Sequence, residues 1–212
     1  MLKQRIAVLV SGGGTNLQAL VDAQHSGVLR NGEIVLVLSS KSDAYGLKRA
    51  RRAGIPAIAV DRSAYAERED FEAELLKCLN EGRIDLIILA GFMQILSAQF
   101  VSRYPGRIIN VHPSLIPAYC GKGFYGLKVH EAVLAAGEKV TGATVHLVNE
   151  IPDGGSILLQ ASVAVLPGDT PEVLQRRVME QAEWRLLPAA AELVCKRLST
   201  QRQEGETIHG TF

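Results

Sequence analysis

The sequence lacks the features that would tie a chain to a membrane, a metal or a disulfide scaffold. No apolar run reaches the roughly 18 residues that a membrane-spanning helix needs. There are only three cysteines, Cys78, Cys120 and Cys195, odd in number, widely spaced and without a CxxC pair. That argues against a disulfide framework and a structural zinc site, and leaves three reduced thiols. A net charge of +1 argues against a whole-protein field that would draw nucleic acid or an anionic membrane. No ligand cluster for a metal is present, and no repeat, low-complexity tract or linker interrupts the chain. The N-terminus has two cations followed by apolar residues, as a signal peptide does. Its apolar stretch is short and runs straight into a glycine turn, so a first strand explains it better and the chain reads as cytoplasmic.

What is present is an ordinary globular composition, 47% hydrophobic and 21% charged over 212 residues. A chain of this size suits one domain and buries about 70% of its unfolded surface. We expect residues 1–198 to form that domain, with a phosphate-binding half to about residue 100 and a catalytic half beyond it. The polar segment 199–212 is expected to be a frayed tail.

Short β-branched runs alternate with helical patterns. Strands are expected at 6–10, 34–38, 55–60, 84–89 and 108–111, and helices at 16–25, 44–53 and 67–80. Such alternation predicts an α/β fold, a doubly wound, mostly parallel, Rossmann-like sheet. The runs 143–148 and 157–165, joined by a polar glycine-rich loop, predict an antiparallel C-terminal extension. A helix starting at Asp169-Thr170-Pro171 and running through Arg185 follows, then a last helical stretch at 189–198.

Ser11-Gly12-Gly13-Gly14-Thr15-Asn16 lies between the first strand and the first helix, where open parallel sheets bind ligands. Glycines let backbone approach a phosphate, and the helix start offers free N–H groups. Leu17 stands where a dinucleotide fingerprint needs its third glycine, and no GK[ST] is present. The loop is therefore a phosphate loop outside both standard nucleotide signatures.

Asn110 and His112 are two residues apart at the end of a strand, so their side chains share a face. Pro113 turns the chain out of the sheet there. An Asn amide beside an imidazole makes a donor pair that can stabilise an oxyanion, and His can move a proton near neutral pH. His146 has no such partner in the sequence and is open between a structural and a supporting role. His130 falls in a helical pattern and His209 in the tail, and neither is expected to be catalytic, although His130 could border the site. Asp153-Gly154-Gly155 by itself signals only a turn.

Taken together, these motifs resemble the phosphoribosylglycinamide formyltransferase family. The matching pieces are Val10-Ser11-Gly12-Gly13-Gly14-Thr15-Asn16-Leu17-Gln18-Ala19, Leu89-Ala90-Gly91-Phe92-Met93, Asn110-Val111-His112-Pro113-Ser114-Leu115-Ile116-Pro117 and Asp153-Gly154-Gly155-Ser156-Ile157-Leu158-Leu159-Gln160. They stand in the family's order and span about residues 5–190. The resemblance implies formyl transfer from 10-formyltetrahydrofolate, as co-substrate, to the amine of glycinamide ribonucleotide in purine synthesis, without a metal. It implies catalytic roles for Asn110, His112 and Asp153. Gly14, Thr15, Asn16 and Leu17 would hold the ribonucleotide, with Glu183, within one residue of register, as a further contact. Arg68, Met93, Gln94, Ile95, Leu96 and Asn110 would line the folate site, and Asn149, Glu150, Ile151 and Pro152 would close over the pterin.

Two departures stand out. Gln94 occupies a position that is Arg in a bacterial member of the family, which removes a charged contact. The segment 120–128 is longer than in that member, reshaping the rim, with Lys122 as an added cation. Implied partners are small molecules, with no nucleic acid or membrane, and the chain is a monomer or a homodimer. Rival readings are formyltetrahydrofolate deformylase and methionyl-tRNA formyltransferase, which carry an extra N-terminal and C-terminal domain respectively. A nicotinamide-dependent oxidoreductase is disfavoured by the missing glycine. A non-catalytic nucleotide-binding module is disfavoured by Asn110 and His112.

Overall fold

A computed structural model describes residues 3–209, with side chains through residue 204. Its first strand, β1 (Gln4–Val10), is buried on both faces, as the centre of a parallel sheet requires. Ile6, Val8 and Val10 face one helical layer, and Ala7 and Leu9 face the other. The chain continues through α1 (Thr15–His25), β2 (Gly32–Ser39), α2 (Tyr45–Arg52), β3 (Ala57–Ala59) and α3 (Arg68–Glu81). Next come β4 (Leu86–Leu89), α4 (Ala98–Ser102), β5 (Ile108–His112), α5 (Leu127–Ala135), β6 (Val140–Leu147) and β7 (Ile157–Ala164). The chain ends on α6 (Pro171–Val178), a π-helical turn (Met179–Glu183) and α7 (Trp184–His209).

The seven strands lie in the order β3-β2-β1-β4-β5-β6-β7. The first five are parallel, and β6 is reversed, pairing antiparallel with both β5 and β7. The doubly wound sheet with an antiparallel extension is therefore the observed fold. Chain direction across the sheet reverses between β1 and β4, and their C-terminal ends flank the crevice that such a switch creates. The loops there are stitched together: Ser11 N–H donates to the Gly91 carbonyl (3.1 Å), and Met93 N–H to Ser11 Oγ (2.8 Å).

Two cores cover the two faces. Leu17 and Leu20 of α1 pack with Leu187, Ala190 and Val194 of α7 on one side. Phe71, Leu75 and Leu79 of α3 pack with Phe100 of α4 on the other. Among the described residues no helix is long and apolar enough to cross a membrane.

The C-terminal part departs from expectation. The stretches 171–185 and 189–198 are not separate helices but parts of one continuous rod, and residues 199–209 are helical rather than frayed. Pro188 lies inside α7 and removes one backbone donor, which ordinarily costs about 3 kcal/mol. The fully buried Leu187, Ala190, Ala191, Val194 and Cys195 outweigh that loss, with Leu187 and Val194 each contributing about 1.5–3 kcal/mol and the smaller side chains less. The buried stripe steps from Leu174 to Val178 to Ala182 and then by five to Leu187, and the π turn absorbs that irregular step. Beyond residue 198 the helix is held by Gln4 Nε2 donating to Ser199 Oγ (3.0 Å) and by Arg202 pairing with Asp85 (3.0 Å). The side chain of His209 and residues 210–212 lie outside the described residues.

Phe71 is among the largest fully buried side chains and joins α3 to the sheet. Phe71→Ala is expected to lower the unfolding free energy by about 3–5 kcal/mol, read from urea denaturation.

Candidate active site

The glycine loop is shaped by what packs behind it. Gly14 has φ +71°, and a Cβ there would lie 2.6 Å from the Gly46 Cα. Helix α2 therefore touches the loop backbone directly, an approach that requires glycine at position 14. Thr15 opens α1 with no side-chain cap at Gly14, leaving the first N–H groups of the helix free. Asn16 is buried, and its Nδ2 donates to Glu183 Oε2 at 2.7 Å. The Asn16 side-chain oxygen Oδ1 is buried with no partner among the described residues, an acceptor placed for a ligand donor. Burial pushes the Glu183 carboxyl up to about 7, against the opposing hydrogen bond from Asn16. Leu17, by contrast, is a fully buried core residue whose side chain points away from the loop's open edge.

The second group forms where β6 runs back along β5. Asn110 pairs with His146 and His112 with Thr144, so all four side chains share the face that carries α3 and α4. The hairpin loop between β6 and β7 folds over this face and brings in Asp153. Its Oδ1 lies 3.4 Å from both Asn110 Nδ2 and His146 Nε2, and its Oδ2 lies 3.5 Å from His112 Nδ1. Shorter bonds anchor the surroundings. Gly121 N–H donates to Asp153 Oδ2 (2.9 Å), His112 Nε2 to the Tyr119 carbonyl (2.8 Å) and His146 Nδ1 to the Leu147 carbonyl (2.9 Å). Both ring nitrogens of His112 thus face oxygen acceptors, Nε2 in a short hydrogen bond and Nδ1 at a longer distance. Burial raises Asp153, but the His146 hydrogen bond, the His112 charge and the Gly121 N–H outweigh it and hold the carboxyl below its ordinary value.

The third group is the exposed Arg68 with the segment after β4. Arg68 sits at the start of α3, 4.0 Å from the buried Glu72. Glu72 in turn accepts from the Ser97 N–H at 2.7 Å and from the Ser97 hydroxyl, tying α3 to the residues just past Leu96. Met93 and Ile95 are exposed, Gln94 is half-buried and Leu96 is buried. In the hairpin loop, Asn149 Oδ1 accepts from Ile151 N–H (3.0 Å), and Glu150, Ile151 and Pro152 stand exposed at its tip.

His146 was not singled out by its sequence context. Its only signal is a strand position that becomes informative once the β5–β6 register is known. Tyr119 and Gly121, whose backbone holds His112 and Asp153, carry no sequence signal beyond a glycine. The long 120s segment is thereby joined to His112 and Asp153 rather than being only a rim, and Lys122 stands exposed on it. His130 is fully buried on α5, and among the described residues neither ring nitrogen has a hydrogen-bond partner. Burial, and secondarily the charge of His112, pushes it down to about 4.

Comparison with known proteins supplies an independent line. The sequence model described as formyl transferase matches residues 4–191. The chain is 43% identical over 185 residues to phosphoribosylglycinamide formyltransferase of Haemophilus influenzae, covering 87% of this chain and 84% of that protein. It is 45% identical over 193 residues to the trifunctional purine biosynthetic protein adenosine-3 of Drosophila melanogaster, covering 91% of this chain. It spans only 14% of that relative's length. Among solved structures, glycinamide ribonucleotide transformylase 1 from Symbiobacterium toebii matches with a TM-score of 0.85 at 44% identity, covering 92% of this chain and 88% of that one. The Coxiella burnetii phosphoribosylglycinamide formyltransferase in complex with CHES gives a TM-score of 0.81 at 44% identity, covering 90% and 86%.

Two buried groups give stability opposite pH dependences. His130 falls from 6.5 to about 4, so its contribution is complete above 6.5 and is lost as pH falls towards 4. Glu183 rises from 4.5 to about 7, so its contribution is complete below 4.5 and is lost as pH rises through 7. Each spans about 3 kcal/mol, so the two largely cancel between pH 4.5 and 6.5. In Glu183→Gln, denaturation curves should show stability climbing with pH across 4–6.5. A flat profile there would contradict the buried, neutral His130.

Proposed function

The chain belongs to the formyl transferase family, and on that premise we propose that it transfers the formyl group of 10-formyltetrahydrofolate to the amine of 5-phosphoribosylglycinamide. The product is formylglycinamide ribonucleotide, in purine synthesis. One observation carries the reading: a loop of free N–H groups fit for a phosphate and an Asn–His–Asp cluster fit for an acyl-type transition state open on one sheet edge. A phosphorylated amine bridges the two.

The amine nitrogen attacks the formyl carbon, and the carbonyl electrons move onto oxygen. Asn110 Nδ2 and the Nδ1 side of His112 are the donors for that oxyanion. Their contacts to Asp153 are long, 3.4 and 3.5 Å, and are the ones that an incoming oxygen can replace. Asp153 balances the imidazolium and accepts the proton that the attacking nitrogen sheds, directly or through water. The carbon–N10 bond then breaks, and N10 leaves as the amine of tetrahydrofolate, taking up a proton. Arg68 and the segment from Met93 to Leu96 line the folate side, with the loop from Asn149 to Pro152 over the pterin. Glu183 and the Asn16 side-chain oxygen Oδ1 receive donors of the ribonucleotide.

The test is an assay with 10-formyl-folate and glycinamide ribonucleotide, following folate absorbance. Turnover should require the ribonucleotide, and equal formyl release without it would mean a hydrolase instead. Removing an oxyanion donor costs about 10²–10³ in kcat. Asn110→Ala should show that loss, and His112→Ala and Asp153→Asn losses at least as large, with thermal melts close to the parent. Near-normal kcat in any of the three would remove that residue from its role.

A further inference from the structure

The carbonyl oxygens of Gly12, Gly13 and Gly14 are all occupied. Gly12 O accepts from the Gly46 N–H (2.9 Å) and Gly13 O from Arg49 Nε (2.8 Å). Gly14 O accepts from the Gln18 N–H (3.0 Å), the first bond of α1. In a trans peptide the carbonyl and the next N–H point in opposite directions. Tying down these three carbonyls therefore turns the N–H groups of Gly13, Gly14 and Thr15 the other way. Among the described residues nothing accepts from those three N–H groups. The loop backbone is fixed by α2 at Gly12 and Gly13 and by the first turn of α1 at Gly14.

Gly46 contributes only its backbone, whereas Arg49 contributes a side chain. Its guanidinium also donates from Nη1 to Gln18 Oε1 (3.2 Å) and lies over the Tyr45 ring, 5.2 Å from the centroid. A planar fork that binds a loop carbonyl, a helix side chain and an aromatic face is fixed in place as a flexible ammonium would not be. Of the three bonds, only the one from Arg49 to the Gly13 carbonyl is made by a side chain of the second helix.

We propose that Arg49 is a positioning residue for the phosphate of the acceptor substrate, acting through the Gly13 carbonyl rather than by touching the phosphate. The inference rests on the reading of this loop as the phosphate site. It assigns acceptor specificity to α2, a helix outside the residues that line the ligands. Without Arg49 the Gly13–Gly14 peptide is free to rotate, and one of the loop's donors is lost.

Arg49→Met deletes the donors and keeps the alkyl stem packed on Tyr45. The expected result is a KM for glycinamide ribonucleotide raised about tenfold or more, the scale of a lost charged hydrogen bond, with kcat within about twofold. KM for the dephosphorylated riboside, a poorer acceptor, should stay within about twofold, which separates phosphate positioning from a general loosening of the fold. Arg49→Lys, retaining one donor, should fall between. Independently of turnover, inorganic phosphate is titrated against the amide resonances of Gly13, Gly14 and Thr15. Wild type should saturate and Arg49→Met should bind about tenfold more weakly, after a thermal melt confirms that it is folded. Weaker phosphate binding in a protein that does not formylate the ribonucleotide would uphold Arg49 and refute the proposed acceptor. Unchanged phosphate affinity, or an equal KM rise for both acceptors, would overturn the role of Arg49. Should the Met variant lose its fold, wild-type phosphate affinity in Arg49→Lys would overturn it as well.

Discussion

The candidate reaction centre depends on the antiparallel pairing of β6 with β5. That pairing sets Asn110 opposite His146 and His112 opposite Thr144, on one face. A slip of one residue would send His146 to the opposite face, into the core. The same reversal places the following hairpin over β5 rather than at the far edge of the sheet. Two glycines make this return possible. At Gly142 a Cβ would lie 2.0 Å from the Ala161 carbonyl oxygen, and at Gly155 it would lie 1.6 Å from that of Leu147. The second follows Asp153 by two residues. The Asp-Gly-Gly motif is thus a turn whose geometry delivers the carboxylate, with Asp153 itself at φ +56°.

The bond lengths within the centre divide by role. The short bonds run to backbone: His112 to Tyr119, His146 to Leu147 and Asp153 to Gly121. The contacts among the side chains themselves are 3.2–3.5 Å. Backbone anchors fix the rings and the carboxylate in orientation, while the weaker mutual contacts leave room for a reacting oxygen. Preorganisation of this kind lowers a barrier because no reorientation remains to be done when charge develops. It also explains why the 115–121 segment, with Tyr119 at φ +51°, takes a backbone conformation that few side chains favour.

How much of this could be read in the sequence follows from range. The strands of the parallel half are nearly unbroken apolar runs, and burial on both faces is what such runs mean. Asn110 and His112 follow from strand period and position alone. Asp153 does not, because its reach depends on a hairpin folding back over another strand. His146 needs the β5–β6 register, which nothing local encodes. The C-terminal rod was misread for a different reason. Pro188 is a valid local break signal, and the packing of Leu187, Ala190, Ala191 and Val194 against the sheet overrides it. The helical end beyond residue 198 escapes a reading by apolar period because Gln4 and Asp85, its anchors, are polar and distant in sequence.

Glu183 brings the two ends of the site into one electrostatic argument. A buried carboxylate one hydrogen bond from Asn16 would oppose a phosphate on the neighbouring loop. Burial that lifts it to about 7 relieves the conflict, since near neutrality much of the population is uncharged. A dianion on the loop disfavours the ionised form still further, so phosphate binding and protonation of Glu183 reinforce each other, and by linkage the effect runs both ways. At the other end Asp153 is held below its ordinary value by two imidazoles and an N–H, and stays charged. Two acidic groups on one sheet edge therefore take opposite states for opposite environments. Burial raises the one beside the glycine loop, and the two imidazoles with the Gly121 N–H lower the one in the Asn–His–Asp cluster.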